Sequence, residues 1–164
     1  MSAICLIDTS IFLNILNVPN RNQDKIQVLD DFKEYIELGM TFILPMATVL
    51  ETGNHIAQNG SGTVRRETAK HFCEMVKGAL TGEAPWQLRE FPDTQEILSW
   101  IDQFPHEAGK NKSSSKTTEG TSFGDLSIIQ EYSKCLKKFS MTEIFIWSLD
   151  SDLACYHHNP IWDN

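Results

Sequence analysis

A chain of 164 residues, 41% hydrophobic and 22% charged, is long enough to bury one core and suits a single domain. Its 14 Lys and Arg against 22 Asp and Glu give a formal net charge of -8, which excludes a generic polyanion-binding surface, so nucleic-acid contact would need local basic patches or metal ions. Four scattered cysteines exclude a CxxC metal clip, and no apolar run is long enough to span a bilayer; a reduced, cytoplasmic protein without membrane contact is expected.

Residues 3–7, AICLI, form an unbroken apolar run, the pattern of a central strand buried on both faces. Asp8 stands at its end, where an isolated charge needs something to repay its desolvation. Thr9 or Ser10 can cap a short helix carrying Ile11, Phe12, Ile15 and Leu16. From Asn22 to Leu38 the positions Ile26, Leu29, Phe32 and Ile36 recur at helical spacing, and Gly39 supplies a stop. MTFIL at 40–44 reads as a second buried strand, after which Pro45 is placed to start a helix through residue 58.

A long helix is predicted over 63–80, and WQLREF at 86–91 fits an edge strand. DTQEILSWIDQF, 93–104, opens with an Asp-x-x-Glu capping signature and reads as another helix, with Trp100 on its apolar face. Residues 105–122, PHEAGKNKSSSKTTEGTS, hold no large aliphatic or aromatic side chain and read as a long mobile loop. Ser122, three residues before Asp125, resembles another helix start, and EIFIW at 143–147 is a third buried strand. His157 and His158 read as part of an exposed tail. Strands alternating with helices predict an α/β fold, a three-layer sandwich with a mostly parallel central sheet, whose usual binding crevice lies outside the carboxyl ends of the strands.

Asp8 and Asp150 both follow strands at that rim, Glu51 lies about two turns into the helix after the second strand, and Asp125 occupies the first turn after the polar loop. Unit charges ~4 Å apart repel by roughly 4 kcal/mol at an effective dielectric near 20, a cost that a divalent cation reverses. Oxygen ligands suit Mg²⁺ or Mn²⁺, no His or Cys spacing favours zinc, and the implied chemistry is metal-assisted phosphodiester hydrolysis. Asp152 competes with Asp150 as a ligand, or binds a second ion. Arg65 and Arg66 on the 63–80 helix, and Lys110, Lys112 and Lys116 in the loop, are candidates for phosphate contacts, although a solvated helix face is the simpler account of the arginines and solubilising filler an equally simple one of the lysines.

The stretches ICLIDTSIFLNIL (4–16), LPMATVLETGNHI (44–56), FGDLSIIQEY (123–132) and IFIWSLDSDLACY (144–156), in this order, resemble the motifs of PIN-domain nucleases, and among these the VapC-like toxin ribonucleases. The resemblance implies Asp8, Glu51, Asp125 and Asp150 as an acidic quartet, with Ser10 and Ser148 orienting carboxylates or metal waters. It further implies an endoribonuclease requiring Mg²⁺ or Mn²⁺, RNA as substrate, a cognate antitoxin as partner and a homodimer. The chain departs from the family pattern in the 105–122 segment, which looks inserted, and in Leu153, where phenylalanine is common. The alternatives are a catalytically silent PIN-like module that binds protein or RNA, and a DNA- or structure-directed nuclease. A haloacid-dehalogenase-like phosphotransferase would carry a second acid two residues after the first, where this chain has Ser10.

Overall fold

The computed structural model describes residues 2–162. At its centre lies β1 (Ile4–Ile7), buried along its whole length and paired in parallel with β2 (Thr41–Leu44) on one side and β4 (Ile144–Trp147) on the other. Outside β2 runs the short parallel β3 (Trp86–Leu88), and outside β4 the antiparallel β5 (His157–His158), giving the order β3-β2-β1-β4-β5. The sheet therefore has five strands where three buried runs are legible in the sequence. Of the other two, β3 occupies the start of the 86–91 segment expected as an edge strand, whereas β5 is too short for an apolar alternation to mark it and forms because β4 offers an open backbone ladder. The histidines of the expected tail belong to β5, where His157 Nε2 lies 2.7 Å from Glu143 Oε1.

Alternation along the strands divides the core into two layers. Cys5, Ile7, Phe42, Leu44 and Trp147 face α1 (Thr9–Ile15), α2 (Lys25–Glu37), α3 (Met46–Ala57) and α4 (Gly62–Thr81), with Phe12 and Trp86 in edge-to-face contact 5.3 Å apart. Ile4, Leu6, Ile43, Ile144 and Ile146 face the opposite way, against Ile128, Tyr132 and Cys135 of α6 (Phe123–Lys138) and Leu153 of α7 (Ser151–Ala154). Helices on both faces of a mostly parallel sheet explain why every residue of β1 can be apolar.

Three boundaries differ from the sequence reading. The inward face of α2 is Val28, Phe32 and Tyr35, while Ile26 and Ile36 are exposed, because the face is set by the aromatic cluster that Phe32 and Tyr35 form with Phe42, Phe145 and Trp147. The cap of α1 is Asp8 and neither Thr9 nor Ser10. Lastly, α5 (Thr94–Gly109), which opens with the expected Asp93/Glu96 capping box, runs on through Pro105. The polar segment thus begins at residue 110, and its returning chain braces the last helical turn through a Thr121 N–H to Glu107 carbonyl bond of 3.2 Å. Cys5 and Cys135 are buried and Cys73 and Cys155 exposed, all as free thiols, and among the described residues no helix is long and apolar enough to cross a membrane.

Candidate functional site

The carboxyl ends of β1, β2 and β4 form one rim, and the candidate acids gather along it. The β1–β4 pairing continues one step past the strand, with the Asp8 N–H donating to the Trp147 carbonyl at 3.0 Å, so Asp8 is fixed by sheet geometry before its side chain does anything. That side chain is buried, and Ser148 Oγ (2.7 Å), Ser10 Oγ (2.8 Å) and the Ser10 N–H (3.4 Å) all donate to Oδ2. Ser148 Oγ also accepts the Asp150 N–H at 2.9 Å and Ser10 Oγ the Leu149 N–H at 3.0 Å, so two hydroxyls tie the segment after β1 to the segment after β4. The orienting roles expected of Ser10 and Ser148 have this geometric basis.

Glu51 sits in the second turn of α3. The start of that helix is held to β1 by the buried Thr48 hydroxyl, which donates to the Ile7 carbonyl at 2.8 Å. Thr9 Oγ1 donates to Glu51 Oε2 at 2.8 Å. Burial pushes the Glu51 carboxyl above its ordinary range, the Thr9 hydrogen bond opposes this, and the charges of Asp125 and Asp8 push it further up. Glu51 therefore feels the charges of two of the other candidate acids. Gly124 makes the approach of α3 and α6 feasible: a Cβ there would stand 2.1 Å from Glu51 Oε1.

Asp125 lies in the first turn of α6, which is capped by Ser122 Oγ accepting the Asp125 N–H at 3.0 Å. Asp150 caps α7, its Oδ1 accepting the Asp152 N–H at 3.1 Å. Two lysines from the 110–122 segment hold these acids together. Lys112 Nζ lies 2.9 Å from Asp125 Oδ2, 3.5 Å from Asp150 Oδ2 and 3.9 Å from Asp152 Oδ2. Lys116 Nζ lies 2.8 Å from Asp150 Oδ1 and 2.7 Å from Asp152 Oδ2. Burial alone would raise Asp150, but the Lys116 hydrogen bond, the Asp152 N–H and both ammonium charges bring it down to about 2.

The structure brings Asp8, Glu51, Asp125, Asp150 and Asp152 to one rim of the sheet. Among the described residues, however, no three carboxylate, imidazole or thiolate groups stand in an arrangement ready to hold a metal ion. The donor set is oxygen throughout, the kind of ligand a hard divalent cation takes, and Lys112 and Lys116 sit on three of its members.

The weaker substrate candidates separate. Lys112 and Lys116 reach the acids, whereas Lys110 pairs with Glu107 at 2.9 Å. Arg65 and Arg66 lie on α4, where Arg65 bonds the Asn59 carbonyl. Thr9 and Gly124 were missed as site residues, although Thr9 beside Asp8 and Gly124 beside Asp125 were a visible signal. An apolar cavity of about 280 Å³ opens beside Glu51, walled by Leu50, Phe91, Trp100 and Phe123. No protein-family model matches the chain, and no curated protein matches it.

Proposed function

We propose that the protein is a metal-dependent endoribonuclease of the PIN-like kind, with its reaction centre at the rim shared by β1, β2 and β4. The observation that carries the reading is the gathering of four acids from distant segments: Ser148 joins Asp8 to Asp150, Lys112 joins Asp125 to Asp150, and Glu51 feels the charges of Asp125 and Asp8. Asp8, Asp125 and Asp150 would hold Mg²⁺ or Mn²⁺, with Glu51 completing the set and Asp152 at its margin. Such a cation, when bound, supplies Lewis-acid stabilisation of the charge that develops on the phosphate and the leaving oxygen.

The chain's own groups do the rest. Ser10 and Ser148 fix Asp8 through Oδ2, so its orientation does not depend on a ligand. Glu51, held by Thr9 at the same rim, would complete the set or position the attacking water. The cavity beside Glu51, with Phe91 and Phe123 exposed along it, offers rings on which a base of a single-stranded substrate can stack. A cognate antitoxin, if the toxin role holds, would cover this cleft.

The second reading, a catalytically silent binding module, is favoured by one observation: two ammonium groups already neutralise Asp125, Asp150 and Asp152. Purified protein and an Asp8→Asn variant, incubated with RNA and with single-stranded DNA in Mg²⁺, Mn²⁺ or chelator, separate the readings. Metal-dependent RNA cleavage reduced at least about a hundredfold in the variant is expected. Cleavage unaffected by Asp8→Asn overturns the site, and inert protein under all conditions favours the binding module.

A further inference from the structure

We infer that residues 110–122 form an autoinhibitory strap whose two lysine ammonium groups stand in for a divalent cation among the rim carboxylates. The inference rests on the metal site proposed above and adds its regulation.

Lysine side chains are rarely buried unless paired, yet Lys112, in a segment of Ser, Thr and Lys, is only 13% exposed. Its ammonium and that of Lys116 bring two positive charges to Asp125, Asp150 and Asp152, the charge a single divalent ion would bring. The backbone fixes this placement. The Lys112 N–H donates to the Glu119 carbonyl at 2.8 Å, closing the strap into a loop, and the Lys116 N–H donates to the Ser113 carbonyl at 3.2 Å inside it. At the far end Gly120 lies so close to α5 that a Cβ would stand 2.0 Å from the Ala108 carbonyl oxygen. A solubilising filler would need neither the closure nor the glycine.

An ammonium nitrogen within 3 Å of a carboxylate oxygen takes one of its lone pairs and repels a divalent cation brought to the same carboxylate. Strap and metal therefore compete, and the apparent metal affinity is lowered by the free energy of the closed strap. A polyanionic strand offers phosphate oxygens to the same lysines and frees the carboxylates, so nucleic acid and metal bind with positive linkage.

The test is calorimetric titration of the full chain with Mn²⁺ alone, for the wild type, a Lys112→Gln/Lys116→Gln double variant and a Gly120→Ala variant that keeps both lysines but forces the strap from α5. Binding tighter than wild type by roughly tenfold or more is expected for the double variant, and a change in the same direction for Gly120→Ala. Adding Asp125→Asn to the double variant is expected to reverse the gain. Equal or weaker Mn²⁺ affinity in both variants overturns the strap while leaving the metal site standing. No Mn²⁺ uptake by any of the proteins overturns the site and the strap together.

Discussion

The two ends of the acidic rim are held by different physics. At the Asp8–Glu51 end each carboxylate receives neutral hydroxyl or amide donors: Ser10 and Ser148 on Asp8, Thr9 on Glu51. At the Asp150–Asp152 end the partners are cations, Lys112 and Lys116. Neutral donors orient a carboxylate without satisfying its charge, whereas ammonium groups satisfy the charge and occupy the position a ligand would take. The first end is oriented but keeps its charge, and the second has its charge met by the lysines.

The largest expected effect comes from breaking the first end. Asp8→Asn keeps a capping side chain on α1 and loses cleavage alone, while Asp8→Ala loses cleavage equally and about 1 kcal/mol of stability with the cap; thermal melts beside RNA-cleavage rates separate the two. Next is Gly124→Ala. The added Cβ displaces Glu51 from the position where Thr9 holds it, so a fall in cleavage of roughly tenfold is expected, with less than about 1 kcal/mol of destabilisation, because a flexible carboxylate gives way more easily than backbone.

The comparison also has a pH signature of opposite sign at the two ends. Glu51 has its pKa raised in the folded state, so it binds a proton more tightly folded than unfolded, and the protein loses stability as pH rises through the window above its ordinary value of 4.5. Glu51→Gln is therefore expected to abolish activity yet to remove that loss of stability with rising pH, read from denaturant midpoints. Asp150 has its pKa lowered, so the stability it contributes is present above its ordinary 3.8 and lost as pH falls toward about 2. Lys116→Ala is expected to flatten the loss of stability across that acid window, read from denaturant midpoints as a function of pH. The smallest effect belongs to Lys110→Ala, whose pair with Glu107 is an exposed i,i+3 contact: within about 0.5 kcal/mol in stability, with cleavage unchanged.

Much of the frame was legible in the sequence. AICLI, TFIL and IFIW announce themselves as buried strands because both faces of the sheet are covered, and the acids point to one rim because Asp8 and Asp150 follow strands there, Asp125 opens a helix and Glu51 lies early in the helix after β2. Elements set by tertiary context were not legible. Val28, Phe32 and Tyr35 form the inward face of α2 because of where β2 and β4 put their aromatics, a fact that lies outside the helix's own periodicity. β5 exists only because β4 leaves an open edge. Above all, the segment after α5 has the composition of filler, and only its return onto α5 turns Lys112 and Lys116 toward the carboxylates. Composition reports what a loop can avoid burying; it does not report where its charges meet their partners.

The most direct measurement is a crystal structure of the protein grown with Mn²⁺, read by anomalous scattering. An ion bounded by Asp8, Asp125 and Asp150, with Glu51 beside it and the Lys112 and Lys116 side chains withdrawn, is the result the account predicts. An ion bound elsewhere, or both lysines in place on Asp125, Asp150 and Asp152 at saturating Mn²⁺, would contradict it.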